Sequence, residues 1–417
     1  MPATRRFLAL ALLAACWAPG VVAEEPAERA AWETAEWPQW RGADRTGVSI
    51  ETDLGFDWVG KAPREVWRRQ LGNGFSAISV SAGRLFTQYA RDDKTYLSSF
   101  AADTGGEIWR VDLGQNFVNS YGSGPRATPT LDEGLVYGLT SRGVVAAIRA
   151  TDGEVVWKID TKATHGARAP RWGLSGSPLI EGDLLIVNTG GDEGRSVLAF
   201  DKRTGELRWS ARDEKAGYAA PVAITASGVR QILVFLANAL VSLDPTDGST
   251  FWELDWKTDW GVNASTPILL DDDRLFISTG YDKGAVMLQL GKDGQKAVAE
   301  ELWRSREMRN RYSSSVLYKG TLYGFDEGTL KALDPSDGTT LWRQRGMGHG
   351  SLIAVDGKLL VLSDRGKLAL AEASRDGYNE VGSIQVFETK TWTVPTLAGG
   401  RLYLRDEKEI VAFDLSK

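Results

Sequence analysis

The chain has 417 residues, 42% of them hydrophobic and 10% aromatic, enough for a large core, and its 46 Gly and 16 Trp call for many turns and many strands. A formal net charge of −6 argues against a nucleic-acid binder. Two His and one Cys exclude the common Cys/His zinc sites, a CxxCH haem attachment and a disulfide framework within one chain.

Residues 1–23 read as an export signal. Arg5-Arg6 supply a positive start, and Phe7 to Ala15 supply an apolar stretch too short to span a bilayer. Two cleavage points compete: before Cys16, where Leu13-Ala14-Ala15-Cys16 is similar to a bacterial lipobox and the Cys would be lipidated, or after Val21-Val22-Ala23. Either exports the protein, and a lipid on Cys16 would be its sole attachment to a membrane. Residues 24–63 form a lead-in. Its Trp37-Pro38-Gln39-Trp40-Arg41-Gly42 stretch matches none of the later repeats and is expected to be a strap packed on the domain surface through Trp37, Trp40 and Trp58.

From residue 64 the chain is periodic. An eleven-residue frame recurs, as in SFAADTGGEIW ending on Trp109, AIRATDGEVVW on Trp157, AFDKRTGELRW on Trp209, SLDPTDGSTFW on Trp252 and ALDPSDGTTLW on Trp342. The seventh position is always Gly (Gly105, Gly153, Gly205, Gly248, Gly338) after Thr or Asp. That is the chemistry of a tight turn between two strands, with the Trp on the second. A second landmark, a short alternating apolar strand, occurs eight times, from RLFTQ at 84 to RLYLR at 401. Four short strands at this spacing predict a β-propeller blade. The frame is stretched before Trp303, lacks its Trp at Val381, and is cut short after Ala412-Phe413-Asp414, whereas a spare strand with Trp67 lies at 64–69. The prediction is therefore an all-β, eight-bladed propeller over 64–417, of four-stranded antiparallel blades, with the Trp67 strand completing the last blade. Closing the ring removes the exposed sheet edge.

The repeated Ala-x-Asp-x-x-Thr/Asp-Gly-x-x-x-Trp frame resembles the tryptophan-docking motif of the pyrroloquinoline quinone (PQQ) repeat superfamily, which includes the quinoprotein alcohol dehydrogenases and the outer-membrane β-barrel assembly lipoprotein BamB. The resemblance implies that Trp67, Trp109, Trp157, Trp209, Trp252, Trp303 and Trp342 dock blade against blade. The dehydrogenases commonly pair adjacent cysteines beside PQQ and a Ca²⁺ ion, and this chain has no Cys-Cys pair.

A site must then be argued from geometry. The connections from the outer strand of one blade to the inner strand of the next converge on the ring axis, and the eight together hold twelve Lys and Arg against six Asp and Glu. The turns between the two middle strands, on the same face, are net acidic. A basic mouth inside an acidic rim is expected, with Arg126, Arg171, Trp172, Asn263, Arg311, Tyr312, His349 and Trp392 as its residues. Trp172 offers a stacking surface. Asn263 and Asn188 offer amide oxygens, but no convergent carboxylates accompany them, so no metal site is assigned. His349 has no Ser or Asp partner at motif spacing, so no catalytic residue is assigned either. His165 is expected to be exposed on a flexible connection. These features point to an exported, periplasmic or outer-membrane-anchored, non-catalytic and monomeric binder, without a cofactor, of an envelope protein, an anionic polymer or a small anionic ligand. The alternative is a PQQ- and Ca²⁺-dependent oxidoreductase of alcohols or sugars.

Overall fold

A computed structural model describes residues 37–417; the export signal, Cys16 and the first part of the lead-in lie outside the described residues. Eight antiparallel four-strand units stand in a ring. Blades 1 to 7 follow chain order, with inner strands at Ser79–Ser81, Thr130–Asp132, Leu179–Glu181, Val222–Ala226, Ile268–Leu269, Val316–Tyr318 and Ser351–Val355. The eighth sheet draws on both ends of the ring: Thr396–Ala398, Arg401–Arg405 and Glu409–Asp414 are followed by Arg64–Gln70, which pairs antiparallel with Glu409–Asp414.

Burial explains the residue pattern of each blade. The third strand is covered on both faces by neighbouring blades, so Val197–Asp201 and Ala239–Leu243 are buried at every position and read as continuous apolar runs rather than alternating ones. The fourth strand has one free face. In Val155–Asp160 only Trp157 is buried.

The frame has a structural reason for each of its fixed positions. A register shift interrupts the pairing of the third and fourth strands just before the Trp, as between Val155 and Trp157 or between Ala199 and Phe200, and recurs at the matching place in every blade. Such a bulge re-aims a side chain. The indole then crosses to the next blade: Trp157 Nε1 donates to Lys202 O at 3.0 Å, and Trp67, Trp109, Trp209, Trp303 and Trp342 make the same kind of bond to Ala102, Ala150, Pro245, Pro335 and Ser374. At five of these junctions the glycine of the receiving turn, Gly105, Gly153, Gly205, Gly248 or Gly338, lies under the ring. A Cβ on Gly205 (φ 76°) would fall 2.8 Å from Trp157, and one on Gly105 would fall 2.6 Å from Trp67. Glycine is thus required twice, for its positive φ and for the approach of the indole.

Two blades depart from the rule where their frames do. The stretched fifth frame forms a hairpin of two ten-residue strands, Gly284–Asp293 and Lys296–Ser305, and the Trp252 that faces it donates to Gln231 within its own blade instead. In blade 7, Gly382 follows Val381 where the other frames carry their Trp, and Trp58 of the lead-in packs there. A Cβ on Gly382 would meet Trp58 O at 2.5 Å.

Residues 37–47 of the lead-in, expected on the surface, are not a surface strap. They lie inside the ring, against inner strands. Trp37 exchanges backbone bonds with Val80 of blade 1, and Pro38 O accepts from Leu131 N of blade 2. Arg45 donates to Ser177, Pro178 and Pro221 carbonyls of blades 3 and 4, Trp40 Nε1 to Thr266 of blade 5, and Arg41 to the Ser315 carbonyl of blade 6. Val48–Ser49 adds a parallel strand to blade 7, and Glu51 accepts from Gly400 N of blade 8. One segment therefore touches all eight blades. Arg41 and Arg45 are 2% and 5% exposed, and burial pushes both guanidinium pKa values down to about 9. Main-chain carbonyls rather than a carboxylate offset the cost of burying these charges.

Frame aspartates cap the turns. Asp201 Oδ1 accepts from Arg203 N and Thr204 N, and Arg208 with these amides holds its pKa down at about 2. Ser336 and Arg375 hold Asp334 at about 2, and Ser416 and Arg64 do the same for Asp414.

Two predictions follow from this packing. Gly205→Ala lowers stability by about 1–3 kcal/mol through strain and the indole clash. Gly377→Ala, at a turn with nothing within 4 Å of the new Cβ, stays close to wild type in the same thermal melts. The second concerns acid. A carboxylate whose folded pKa is depressed contributes stability that is present above its ordinary value near 4 and lost as pH falls through about 2. Asp201→Asn therefore costs about 1–2 kcal/mol at pH 6, and its melting curve converges on that of the wild type as the pH approaches 2. A gap independent of pH contradicts this.

Candidate functional site

The connections that enter the inner strands meet over a cavity of about 370 Å³. Arg126, Arg171, Trp172, Arg311, Tyr312 and Trp392 line it, and these are six of the eight residues expected at the mouth. The other two are placed elsewhere. Asn263 is fully buried with its amide donating to Leu236, Ala237 and Trp256 carbonyls, where it fastens two loops and offers nothing to a ligand. Asn188 is likewise buried and donates to Phe235 O. His349 lies outside the cavity lining, its ring 5.6 Å from Tyr312 and its backbone N–H bonded to Asp364. His165 ends the short helix Thr161–His165 and packs on Phe200, 5.4 Å between ring centroids, so it is half-buried; that burial lowers its pKa.

The site also holds residues that the sequence did not single out. Phe75, Tyr121, Tyr218, Trp260 and Tyr281 line it, and Trp40 enters from the channel side. Tyr121 and Trp260 are 56% and 60% exposed, so part of each ring is open to a ligand. A signal for them existed: Trp40, Trp172, Trp260 and Trp392 all fall outside the repeating frame and so have no docking role to account for them.

Arginines and rings alternate around the wall. Arg126 lies between Phe75 and Phe117, 5.7 and 5.0 Å from the ring centroids; Arg171 between Trp172 and Trp260, at 5.3 and 5.4 Å; Arg311 between Tyr281 and Tyr312, at 5.1 and 5.2 Å. Each contact of this type contributes about 0.5–2 kcal/mol and fixes the guanidinium plane. Arg126 is tied further by donating to Gly122 O and Gly124 O, and burial pushes its pKa down to about 10. Arg311 is paired with Glu327 at 3.4 Å. Among the described residues, neither Arg126 nor Arg171 has a carboxylate within 4 Å, and no Asp or Glu lines the cavity. The rings brace one another as well: Trp172 meets Tyr121 and Trp260 edge-on, and Tyr312 packs on Trp392 at 4.8 Å.

Chemically, this arrangement can bind an anion and stack against a ring. It offers no carboxylate to act as a general base and none to hold a cation. No group of three His, Cys, Asp or Glu side chains able to hold a metal occurs among the described residues, so a Ca²⁺-assisted quinone centre does not fit this wall.

An eight-bladed ring carried by tryptophan-docking frames, with a blind cationic and aromatic mouth, defines a propeller of the PQQ-like repeat class. The profile of the family described as outer membrane protein assembly factor BamB matches residues 61–168, 93–327 and 326–417, and the chain belongs to that family. It is 23% identical over 367 residues to the outer membrane protein assembly factor BamB of Yersinia pestis, covering 73% of this chain and 88% of that protein. It is 24% identical over 357 residues to the protein of that name from Escherichia coli K12, with 73% and 87% covered. Among solved structures, BamB from Moraxella catarrhalis superposes with a TM-score of 0.58 at 15% identity, covering 85% of this chain and 98% of that one. The quinohemoprotein alcohol dehydrogenase ADHIIG of Pseudomonas putida HK5 gives 0.66 at 13% identity, covering 94% and 82%. At these identities the superpositions speak to the fold alone.

Trp40 and Arg45 tie this site to the ring. Arg45→Ala leaves buried carbonyls of blades 3 and 4 unpaired and is expected to cost about 2–4 kcal/mol in thermal or urea unfolding. A variant as stable as wild type would show that the lead-in contributes nothing to holding the ring.

Proposed function

We propose that this chain is an exported, non-catalytic scaffold of the bacterial envelope that takes an anionic partner, a protein segment or a polymer, into its central mouth. Membership of a family described by an outer membrane assembly factor supports the scaffold role and the envelope location. The observation that carries the site is the wall itself, three ring-braced arginines facing one cavity with no carboxylate among its lining residues. Lipidation at Cys16, a monomeric state and the absence of a cofactor belong to the same reading. An oxidoreductase has less support, because the likeness to a quinohemoprotein dehydrogenase is one of fold and the lining lacks the acids to hold Ca²⁺.

The test uses the exported protein and two carboxylate polymers, poly-glutamate and polygalacturonate, titrated calorimetrically at low ionic strength. At least one binds, although the protein is itself acidic, and affinity falls steeply as salt is raised. Replacing Arg126, Arg171 and Arg311 together by Ala removes that binding. Failure of both polymers to bind the wild type, or unchanged affinity in the triple variant, rules the mouth out as an anion site.

A further inference from the structure

We infer that the ligand of the mouth is an acidic saccharide, a chain of uronic acid units whose carboxylates meet the arginines while the sugar rings stack on the exposed indoles. The inference rests on the anion-binding reading above and narrows it to one class of molecule.

Hydrogen-bond polarity separates the candidates. The cavity side chains are rich in donors: the guanidinium groups of Arg171 and Arg311, that of Arg126 with both terminal nitrogens already bonded to Gly122 O and Gly124 O, and the indole N–H groups of Trp172, Trp260 and Trp392. Burial raises the pKa of Tyr218, to about 12, and also that of Tyr312, so both phenols stay protonated donors at neutral pH. The carbonyls of Gly122 and Gly124 beside Arg126 are taken by its guanidinium. A peptide entering such a wall brings an N–H on nearly every residue. Each one left unpaired costs about 1–3 kcal/mol. A uronic acid brings no N–H; its carboxylate and ring oxygen only accept, and each hydroxyl, which donates as well as accepts, can turn its O–H toward water or a neighbouring sugar oxygen.

Shape agrees. Trp172 stands nearly perpendicular to both Tyr121 and Trp260, at 84° and 78°, so flat faces wall the cavity on more than one side. The C–H face of a pyranose packs on such a face through dispersion and the negative ring quadrupole. The rings stand beside the charges: Arg171 lies over both Trp172 and Trp260, so one place offers a stacking surface and a partner for a carboxylate together. The inner strands offer little edge for a peptide to extend, since the lead-in already bonds to those of blades 1, 2 and 7.

The experiment compares tetragalacturonate, its methyl ester and a glutamate-rich peptide by calorimetry against the whole exported protein. Tetragalacturonate binds, and esterification weakens it by about tenfold or more because the charge-assisted bonds are gone. Trp260→Ala and Arg171→Ala, both at exposed positions, each weaken it to a similar extent while leaving the melting temperature unchanged. Binding of the peptide with tetragalacturonate inert, or equal binding of the two, overturns the saccharide assignment and leaves the mouth an anion site. Equal affinity for the acid and its ester, or for wild type and Trp260→Ala, overturns it as well. If neither the saccharide nor the peptide binds, the anion reading falls with it.

Discussion

The ring depends on one repeated contact, an indole from one blade lying over the glycine of the next blade's turn, with its N–H bonded to a carbonyl there. The contact is between neighbouring blades, so it sets their angle and spacing. Burial of an indole at such a junction is worth about 3–5 kcal/mol by the usual cost of truncating a core Trp. The exceptions support the rule. Where blade 7 has no Trp, the lead-in delivers Trp58 to the backbone at Gly382. Where the fifth frame is too long to present its turn, Trp252 keeps its buried place and finds an acceptor in Gln231. The ring tolerates losing one indole or one turn because something else fills each gap.

This explains what was legible in the sequence. Frame, bulge and docking are local in the chain and repeat, so Gly205 and Trp209 can be read together although each serves a different junction. The lead-in was not legible. Arg41 and Arg45 bond to backbone carbonyls, and every residue has a carbonyl, so nothing at positions 177, 221 or 315 records that an arginine lies against it. Asn263 fails for a related reason. An amide at the end of a connection can face the mouth or fold back to fasten its own loop, and the choice rests on loop geometry that spacing does not encode. The mouth arginines were legible because convergence on an axis follows from blade count alone. Their aromatic partners come from different connections and turns, as Tyr281 and Trp260 do, and pairings across blades leave no local trace.

The lead-in also decides what kind of site the ring carries. A ring of eight blades leaves an axial channel, and a channel open at both ends would let water reach any ligand from behind. Here residues 37–47 lie in that channel, bonded to seven blades, and Trp40 contributes to the cavity wall from within it. The mouth is therefore a cup. Its inner end is made by the same segment that spans the blades, which couples the shape of the site to the integrity of the ring.

A cup of this composition favours recognition over chemistry. General acid–base catalysis at neutral pH uses a group that gives and takes a proton near that pH, and such groups are built by setting carboxylates or imidazoles against one another. This wall holds guanidinium groups, which stay charged, and phenols whose pKa values burial raises further from neutrality. Neither titrates near neutral pH. What the wall supplies instead is fixed positive charge, with planes held by stacking before any ligand arrives. Pre-organisation of this kind lowers the entropy lost on binding and so raises affinity. On a protein of net charge −6 the field at the mouth is short-ranged and screened by salt, so the cup selects anions that reach it rather than drawing them from a distance.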